Sequence, residues 1–221
     1  MDDLTLLIPA KQESESLPKV LDELKEHNLK INIVLNKDDS KTIDSIKNYN
    51  VNILYQTGKG YGDALIHGIN TCTTSYFCIF NADGSFNPLE IKEMLKKLNN
   101  DHLDFVFASR YKDNGGSEDD TIITLIGNYI FSMIGKIFFK LNISDILYTF
   151  VIGKTEKAKL LKLAYKDFAF CVELPIKAKN FNFKLEDFPS RERKRIAGKK
   201  KVNAFLDGLK ILISMIKLYF K

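Results

Sequence analysis

Residues 76–85 read Tyr76-Phe77-Cys78-Ile79-Phe80-Asn81-Ala82-Asp83-Gly84-Ser85, an apolar run that stops at an amide and, two residues on, a carboxylate. Five apolar residues, three of them aromatic, bounded by turn chemistry fit a buried strand. Similar runs lie outward on both sides, at 4–8, 31–35, 51–55 and 105–108. Between them the spacing turns helical, as in Leu17, Val20, Leu21 and Leu24. This β-α-β-α rhythm predicts an α/β fold, with a mostly parallel central sheet flanked by helices. Ligands of such sheets sit outside the carboxyl ends of the strands. The polar segments that follow the five runs, at 9–13, 36–40, 56–60, 81–85 and 109–111, are therefore the candidate functional loops.

Two of these loops suggest chemistry by themselves. Alternate residues at a strand end can converge on one ion, and hard divalent cations take oxygen ligands while leaving positions for phosphate oxygens. Asp83 is the candidate ligand, with Asn81 beside it, and an Asp-Gly turn closing the strand is the plainer alternative. Gly58-Lys59-Gly60-Tyr61-Gly62-Asp63 opens a helical run. Its glycines allow close backbone approach and Lys59 can meet an anion, but an ordinary glycine-rich turn reads equally well, because Asp63 stands where a third motif glycine belongs.

After residue 112 the pattern changes. Residues 113–120 form a polar, glycine-containing loop, and an apolar helix follows from about 121 to 141, with Asn128, Ser132, Lys136 and Lys140 as a polar stripe. The tail repeats that design with Asn203, Asp207, Lys210, Ser214, Lys217 and Lys221. The chain is expected to be one domain over 1–221, with a nucleotide-binding half at 1–112 and an acceptor-side half at 113–221. Its 221 residues, 45% hydrophobic and 28% charged, exclude a disordered chain or a disulfide scaffold. The longest uncharged stretch, 121–135, has 15 residues, short of the roughly 20 a membrane-spanning helix needs. The N-terminus begins acidic and carries no signal-peptide pattern, so a cytoplasmic location is expected, with the inner face of the membrane as the alternative.

The net charge of +5 is concentrated. Arg191, Arg193, Lys194, Arg195, Lys199, Lys200 and Lys201 stand against a single acid, Glu192, which points to an anionic partner. Nucleic acid is disfavoured, since the run lacks interleaved aromatics and no nucleic-acid motif is present. The three cysteines lie in apolar runs and share no metal spacing, as buried thiols of a reducing compartment do.

Taken in order, residues 8–13, Gly58-Lys59-Gly60 with Ala64 and Gly68, Asn81-Ala82-Asp83, and Ser109-Arg110 resemble the family 2 glycosyltransferases of the GT-A fold. The nearest likeness is to the dolichol-phosphate mannose synthase-like branch, supported by Asp145-Ile146-Leu147-Tyr148-Thr149-Phe150, by Glu173 in its apolar helix, and by the basic segment 195–201. The resemblance implies inverting transfer of a sugar from a nucleotide-sugar donor, assisted by Mg2+ or Mn2+. Pro9, Ala10 and Glu13 would line the nucleotide pocket, and Lys59 would lie near the nucleotide. Asp38 and Asp39 would stand in the loop after the second strand. Asn81, Ala82 and Asp83 would meet the diphosphate, with Asp83 and Asn81 as metal ligands. Arg110 would face the diphosphate or the sugar, where a fixed cation stabilises the departing charge.

On the acceptor side, Asp145 and Glu173 are the candidate bases, or else a turn cap and a buried partner of a lysine. Arg195, Lys199, Lys200 and Lys201 would bind the acceptor. A polyprenyl phosphate suits that cationic segment, is already an anionic nucleophile, and would let the two apolar helices rest in the membrane interface. Those same faces leave self-association open. The rival readings are transfer to a sugar hydroxyl, which needs a carboxylate base, and a nucleotide-binding homologue without turnover. The second draws on Asn81 in place of an aspartate and on the altered loop at 36–40.

Overall fold

The structure is a computed structural model that describes residues 3–198 and 203–220. Its first half follows the sequence closely: β1 (Leu4–Pro9), α1 (Leu17–Leu24), β2 (Lys30–Leu35), α2 (Ser40–Ile46), β3 (Asn52–Tyr55), α3 (Tyr61–Thr71), β4 (Tyr76–Ile79), α4 (Leu89–Asn100) and β5 (Phe105–Ser109). Each helix has a local cause. Leu17, Val20, Leu21 and Leu24 place one buried stripe on α1, with proline in its first turn. Asp39 caps α2 by accepting the Thr42 N–H.

The remaining elements are β6 (Gly116–Ser117), α5 (Ile122–Phe139), β7 (Val151–Lys154), α6 (Thr155–Leu160), α7 (Phe170–Asn180), β8 (Leu185–Pro189), β9 (Arg191–Glu192) and α8 (Ala204–Tyr219). The seven main strands form one sheet in the order β3-β2-β1-β4-β7-β5-β8. All neighbours are parallel except β7, which runs antiparallel to both β4 and β5. The second half of the chain thus places β7 inside the sheet of the first half and β8 along its edge. The chain direction of strand addition reverses at β1, which has β2 on one side and β4 on the other. That is the place where a crevice opens in an α/β sheet.

Side chains alternate across the sheet. Leu4, Leu6 and Ile8 enter one core layer with α1, α2 and α4, while Leu7 enters the other with α3, α6, α7 and α8. Phe86 stacks on Phe150 at 4.7 Å and meets Phe80 edge-on at 5.7 Å, which fixes the turn after β4 from beneath.

Helix α5 reverses the usual arrangement, and α8 is apolar on both sides. In α5 the buried residues are Asn128, Ser132 and Gly135, and in α8 Ser214 is buried beside Ile211, Met215 and Leu218. The outward surfaces carry Ile122, Ile126, Tyr129, Ile130, Ile137 and Phe138 on α5, and Phe205, Leu206, Leu209, Ile213, Ile216 and Phe220 on α8. Ile122 is 77% exposed and Phe205 82%. α5 also runs past the uncharged stretch to Phe139, giving 18 residues of mean hydropathy 1.7, long and apolar enough by composition to cross a membrane. Asn128 and Ser132 of its polar stripe nevertheless bond to Tyr111 and Ile146 in the body of the protein, while Lys136 is exposed.

Candidate active site

The carboxyl ends of β1 and β4 open onto a cavity of about 420 Å³. Pro9, Ala10, Lys11 and Glu13 form one wall, and Asn81, Ala82 and Asp83 form the floor. Residues of the second half close it: Asp119, Asp120, Glu192 and Arg195, with Thr124 and Asn128 from α5 and Ile211 from α8. Five acids and three bases line the cavity, a net charge of −2. A diphosphate enters such a site only in the company of cations.

The turn at 81–85 is built for one conformation. Ser85 N–H donates to Asp83 Oδ1 at 3.0 Å, and Asn81 Nδ2 donates to Ser85 Oγ at 3.4 Å. Gly84 has φ +80°, and a Cβ there would collide with the Ile196 side chain. Residues 193–196 lie across this turn, with Arg193 N–H donating to Ser85 O and Ile196 N–H to Asp83 O, both at 2.8 Å. Arg195 NH1 is 3.5 Å from Asp83 Oδ2, and its NH2 is 2.8 Å from Asp119 Oδ2.

A guanidinium bridging these two acids shows that this corner suits a cation, and Asp83 with the Asn81 amide oxygen fits a hard divalent ion. Among the described residues no group of three His, Cys, Asp or Glu could hold an ion unaided. The remaining ligands would come from the diphosphate, the usual arrangement for Mg2+.

Arg110 is buried, 8% exposed, at the centre of an acidic cluster. Its Nε and NH2 form a two-bonded fork on Asp145 at 2.7 and 3.0 Å, and the Arg110 main-chain N–H also donates to Asp145 at 3.2 Å. NH1 reaches Glu192 at 3.2 Å and Asp120 at 3.4 Å. The guanidinium lies 4.6 Å over the Tyr148 ring. Arg110 does line the cavity, but Asp145 takes the fork that was expected to face the diphosphate or sugar. Burial raises the Glu192 carboxyl above the ordinary glutamate value, and Arg110 pulls the other way. The same neighbours leave the Arg110 guanidinium more firmly protonated than usual, burial opposing them.

Several expected site residues take other roles. Asp145 is fully buried and its two oxygens hold Arg110, so it is a counter-ion rather than an available base. Glu173 accepts the N–H groups of Ala164 and Tyr165 and pairs with Lys177 Nζ at 2.7 Å, away from the cavity lining. It pins a loop and is the buried partner of a lysine. Asp39 caps α2 and accepts the Gln12 N–H at 2.6 Å, bracing the 11–13 loop from behind, while Asp38 is exposed. Lys59 is exposed outside the cavity.

The glycines beside Lys59 serve packing. A Cβ at Gly60 or Gly62 would strike the carbonyl oxygens of Lys166 or Tyr165, and the Asp63 N–H donates to Lys166 O at 3.0 Å. The start of α3 is therefore packed on one side against the 165–167 loop, while Gly60, Tyr61 and Ala64 line the cavity. Lys199, Lys200 and Lys201 lie outside the described residues. Asp119, Asp120 and Glu192 were not anticipated. The available signal for Glu192 was its isolation as the single acid in a basic run. The two aspartates sat in a segment that looks like any solvated loop.

A parallel sheet with a switch-point crevice, an acid closing the fourth strand and an antiparallel insertion defines the nucleotide-diphospho-sugar transferase class, the GT-A fold. Residues 5–161 match the Glycosyl transferase family 2 model, and the chain belongs to that family of glycosyltransferases. The fold is shared with glucosyl-3-phosphoglycerate synthase of Mycobacterium tuberculosis in complex with UDP, at TM-score 0.75 and 11% identity over 99% of this chain and 80% of that one. The same enzyme has been seen with Mn2+, UDP-glucose and phosphoglyceric acid, at TM-score 0.73. Mannosyl-3-phosphoglycerate synthase of Rubrobacter xylanophilus is similar at TM-score 0.72 and 13% identity, over 97% of this chain and 72% of that one. An uncharacterized protein of Methanocaldococcus jannaschii is 25% identical over 224 residues, spanning 97% of this chain and 91% of its own.

Proposed function

We propose that this glycosyltransferase moves a sugar, with inversion, from a nucleotide-sugar to a phosphate-bearing lipid of the polyprenyl phosphate kind at the inner face of a membrane. The observation that carries this reading is the broad apolar outer face that α5 and α8 both present. α5 turns Asn128 and Ser132 inward, α8 buries Ile211, Met215 and Leu218 with Ser214, and both helices turn isoleucine, leucine or phenylalanine outward. The outward face carries Lys136, Lys210 and Lys217 as exposed cations, with Asp207 the one acid on the two helices. An apolar, acid-poor face next to the cavity suits an anionic membrane surface and an acceptor that approaches from it.

The residues divide the work as follows. Pro9, Ala10, Lys11 and Glu13 wall the nucleotide end. Asp83 and Asn81 hold Mg2+ or Mn2+, which when bound neutralises charge on the diphosphate. Arg110, locked by Asp145 and Glu192, keeps a fixed cation in the wall without reorganisation during the reaction. A phosphate oxygen of the acceptor bonds to the anomeric carbon as the bond to the nucleoside diphosphate breaks, and the electron pair leaves with that diphosphate. No proton has to be removed, which agrees with Asp145 and Glu173 both being locked in place.

A second reading is favoured by the neighbouring glucosyl-3-phosphoglycerate synthase, whose complex with Mn2+ and UDP-glucose also holds phosphoglyceric acid. In it a hydroxyl of a small phosphate-bearing acid attacks, and Glu192 or Asp120 takes the proton. Assay of nucleotide-sugars with a short-chain polyprenyl phosphate and with 3-phosphoglycerate separates the two. Flotation with anionic liposomes tests the membrane. Binding should be salt-sensitive, with each interfacial lysine worth about 1 kcal/mol, and Ile126→Glu with Ile130→Glu should abolish it without unfolding the protein. Transfer to 3-phosphoglycerate alone, together with indifference to liposomes, refutes the lipid reading.

A further inference from the structure

We propose that Arg195 is an internal cation that holds Asp83 until a divalent ion displaces it, so that donor loading frees a guanidinium on the acceptor side. The inference rests on the reading of Asp83 as a cation ligand. Arg195 reaches two acids unequally: NH2 and Nε lie 2.8 and 3.4 Å from Asp119, whereas NH1 lies 3.5 Å from Asp83. The looser arm is the one over the ion's ligand. Asp119 is thus a pivot, and the Asp83 contact is the part that can open.

The main chain around Arg195 is held far more firmly than its side chain. Residues 193 and 196 each donate a 2.8 Å backbone bond into the 83–85 turn, and Ile196 fills the space above Gly84. Arg193 NH2 adds bonds to Phe86 O and Glu23, each at 2.8 Å. The segment therefore cannot drift away as a loop, and the movable part is the Arg195 side chain.

A guanidinium and a divalent cation repel strongly at contact distance, so both cannot sit on the Asp83 carboxylate. Occupancy by one excludes the other, and Arg195 weakens metal affinity in the empty site. Once displaced, NH1 lies at the cavity wall beside a segment rich in basic residues, where an incoming phosphate can take it. Linkage then requires a phosphate that captures Arg195 to raise metal affinity by the same factor by which the metal raises phosphate affinity.

The test uses the full chain and free Mn2+ measured by electron paramagnetic resonance. Arg195→Ala and Arg195→Gln should bind Mn2+ about two- to fivefold tighter than wild type, the range for releasing a partly exposed ion pair. Arg191→Ala, which removes the same charge from an exposed neighbour, should leave the affinity unchanged. Hexyl phosphate should raise Mn2+ affinity in wild type and have no such effect in the Arg195 variants, with melting temperatures confirming that each protein is folded. Unchanged or weaker Mn2+ binding in both Arg195 variants, or a phosphate effect that persists in them, overturns the latch while the metal site stands. If no protein binds Mn2+, even with UDP or GDP present, the metal site falls and the latch falls with it.

Discussion

Asp145→Asn isolates the buried pair that anchors the cavity wall. Asp145 has no exposed surface and accepts three bonds from Arg110, at 2.7, 3.0 and 3.2 Å. Asparagine keeps one acceptor oxygen and turns an NH2 toward a guanidinium that can only donate, so at least one arm of the fork is lost. Removing one partner of a buried pair costs about 3–5 kcal/mol. Here Asp120 and Glu192 still face NH1 and compensate part of the charge, which puts the expected loss near the lower end, about 3 kcal/mol. For a domain of this length each kcal/mol shifts the melting temperature by about 2–4 °C, so the midpoint should fall by about 6–12 °C. Calorimetry and urea unfolding measure it directly. Turnover below the new midpoint should keep the wild-type pH profile, because both oxygens of Asp145 are held by Arg110 and the proposed transfer to a phosphate needs no base. A shift under about 2 °C would show that the fork contributes little stability. A reshaped pH profile with an intact fold would restore Asp145 as a base.

Asp83→Ala should abolish Mn2+-dependent binding of the nucleoside diphosphate in calorimetry, since Asn81 offers a hard cation a single neutral oxygen; unchanged affinity removes Asp83 from the site. Glu192→Gln tests the pH dependence of stability. Burial holds the folded carboxyl above the ordinary glutamate value, so its contribution is fully present below the unfolded value and is lost as pH rises through the folded one. Thermal melts from pH 4 to 8 should therefore show the variant gaining on wild type as pH rises through that window, and a constant difference contradicts the shift. Gly62→Ala forces a methyl against the Tyr165 and Asp167 carbonyl oxygens and should cost about 2–3 kcal/mol, as strained overpacking does. Wild-type melting of that variant would mean the 165–167 loop yields freely.

The five N-terminal strands, their helices and the Asp83 turn were legible from residues 4–110, because period-2 and period-3.6 patterns record which side of each element meets the core, and turn residues mark its end. Membership of the family was legible for a related reason: the site loops follow strands in a fixed order along the chain. Three features were decided by tertiary contact. β7 enters the sheet antiparallel between β4 and β5, and nothing local in a four-residue apolar run states its partner or direction. Asn128 and Ser132 of α5 and Ser214 of α8 face inward while Lys136, Lys210 and Lys217 stay exposed, whereas periodicity identifies two faces without saying which one meets water. Carboxylates at 119, 120, 145 and 192 gather around two arginines, although chain separations of up to 82 residues hide such pairings from any local rule. Asp145, Glu173 and Arg195 were singled out by the resemblance of their segments, with a lysine partner for Glu173 as one of the alternatives, and the fold decides among the roles because charge chemistry depends on distance in space and not along the chain.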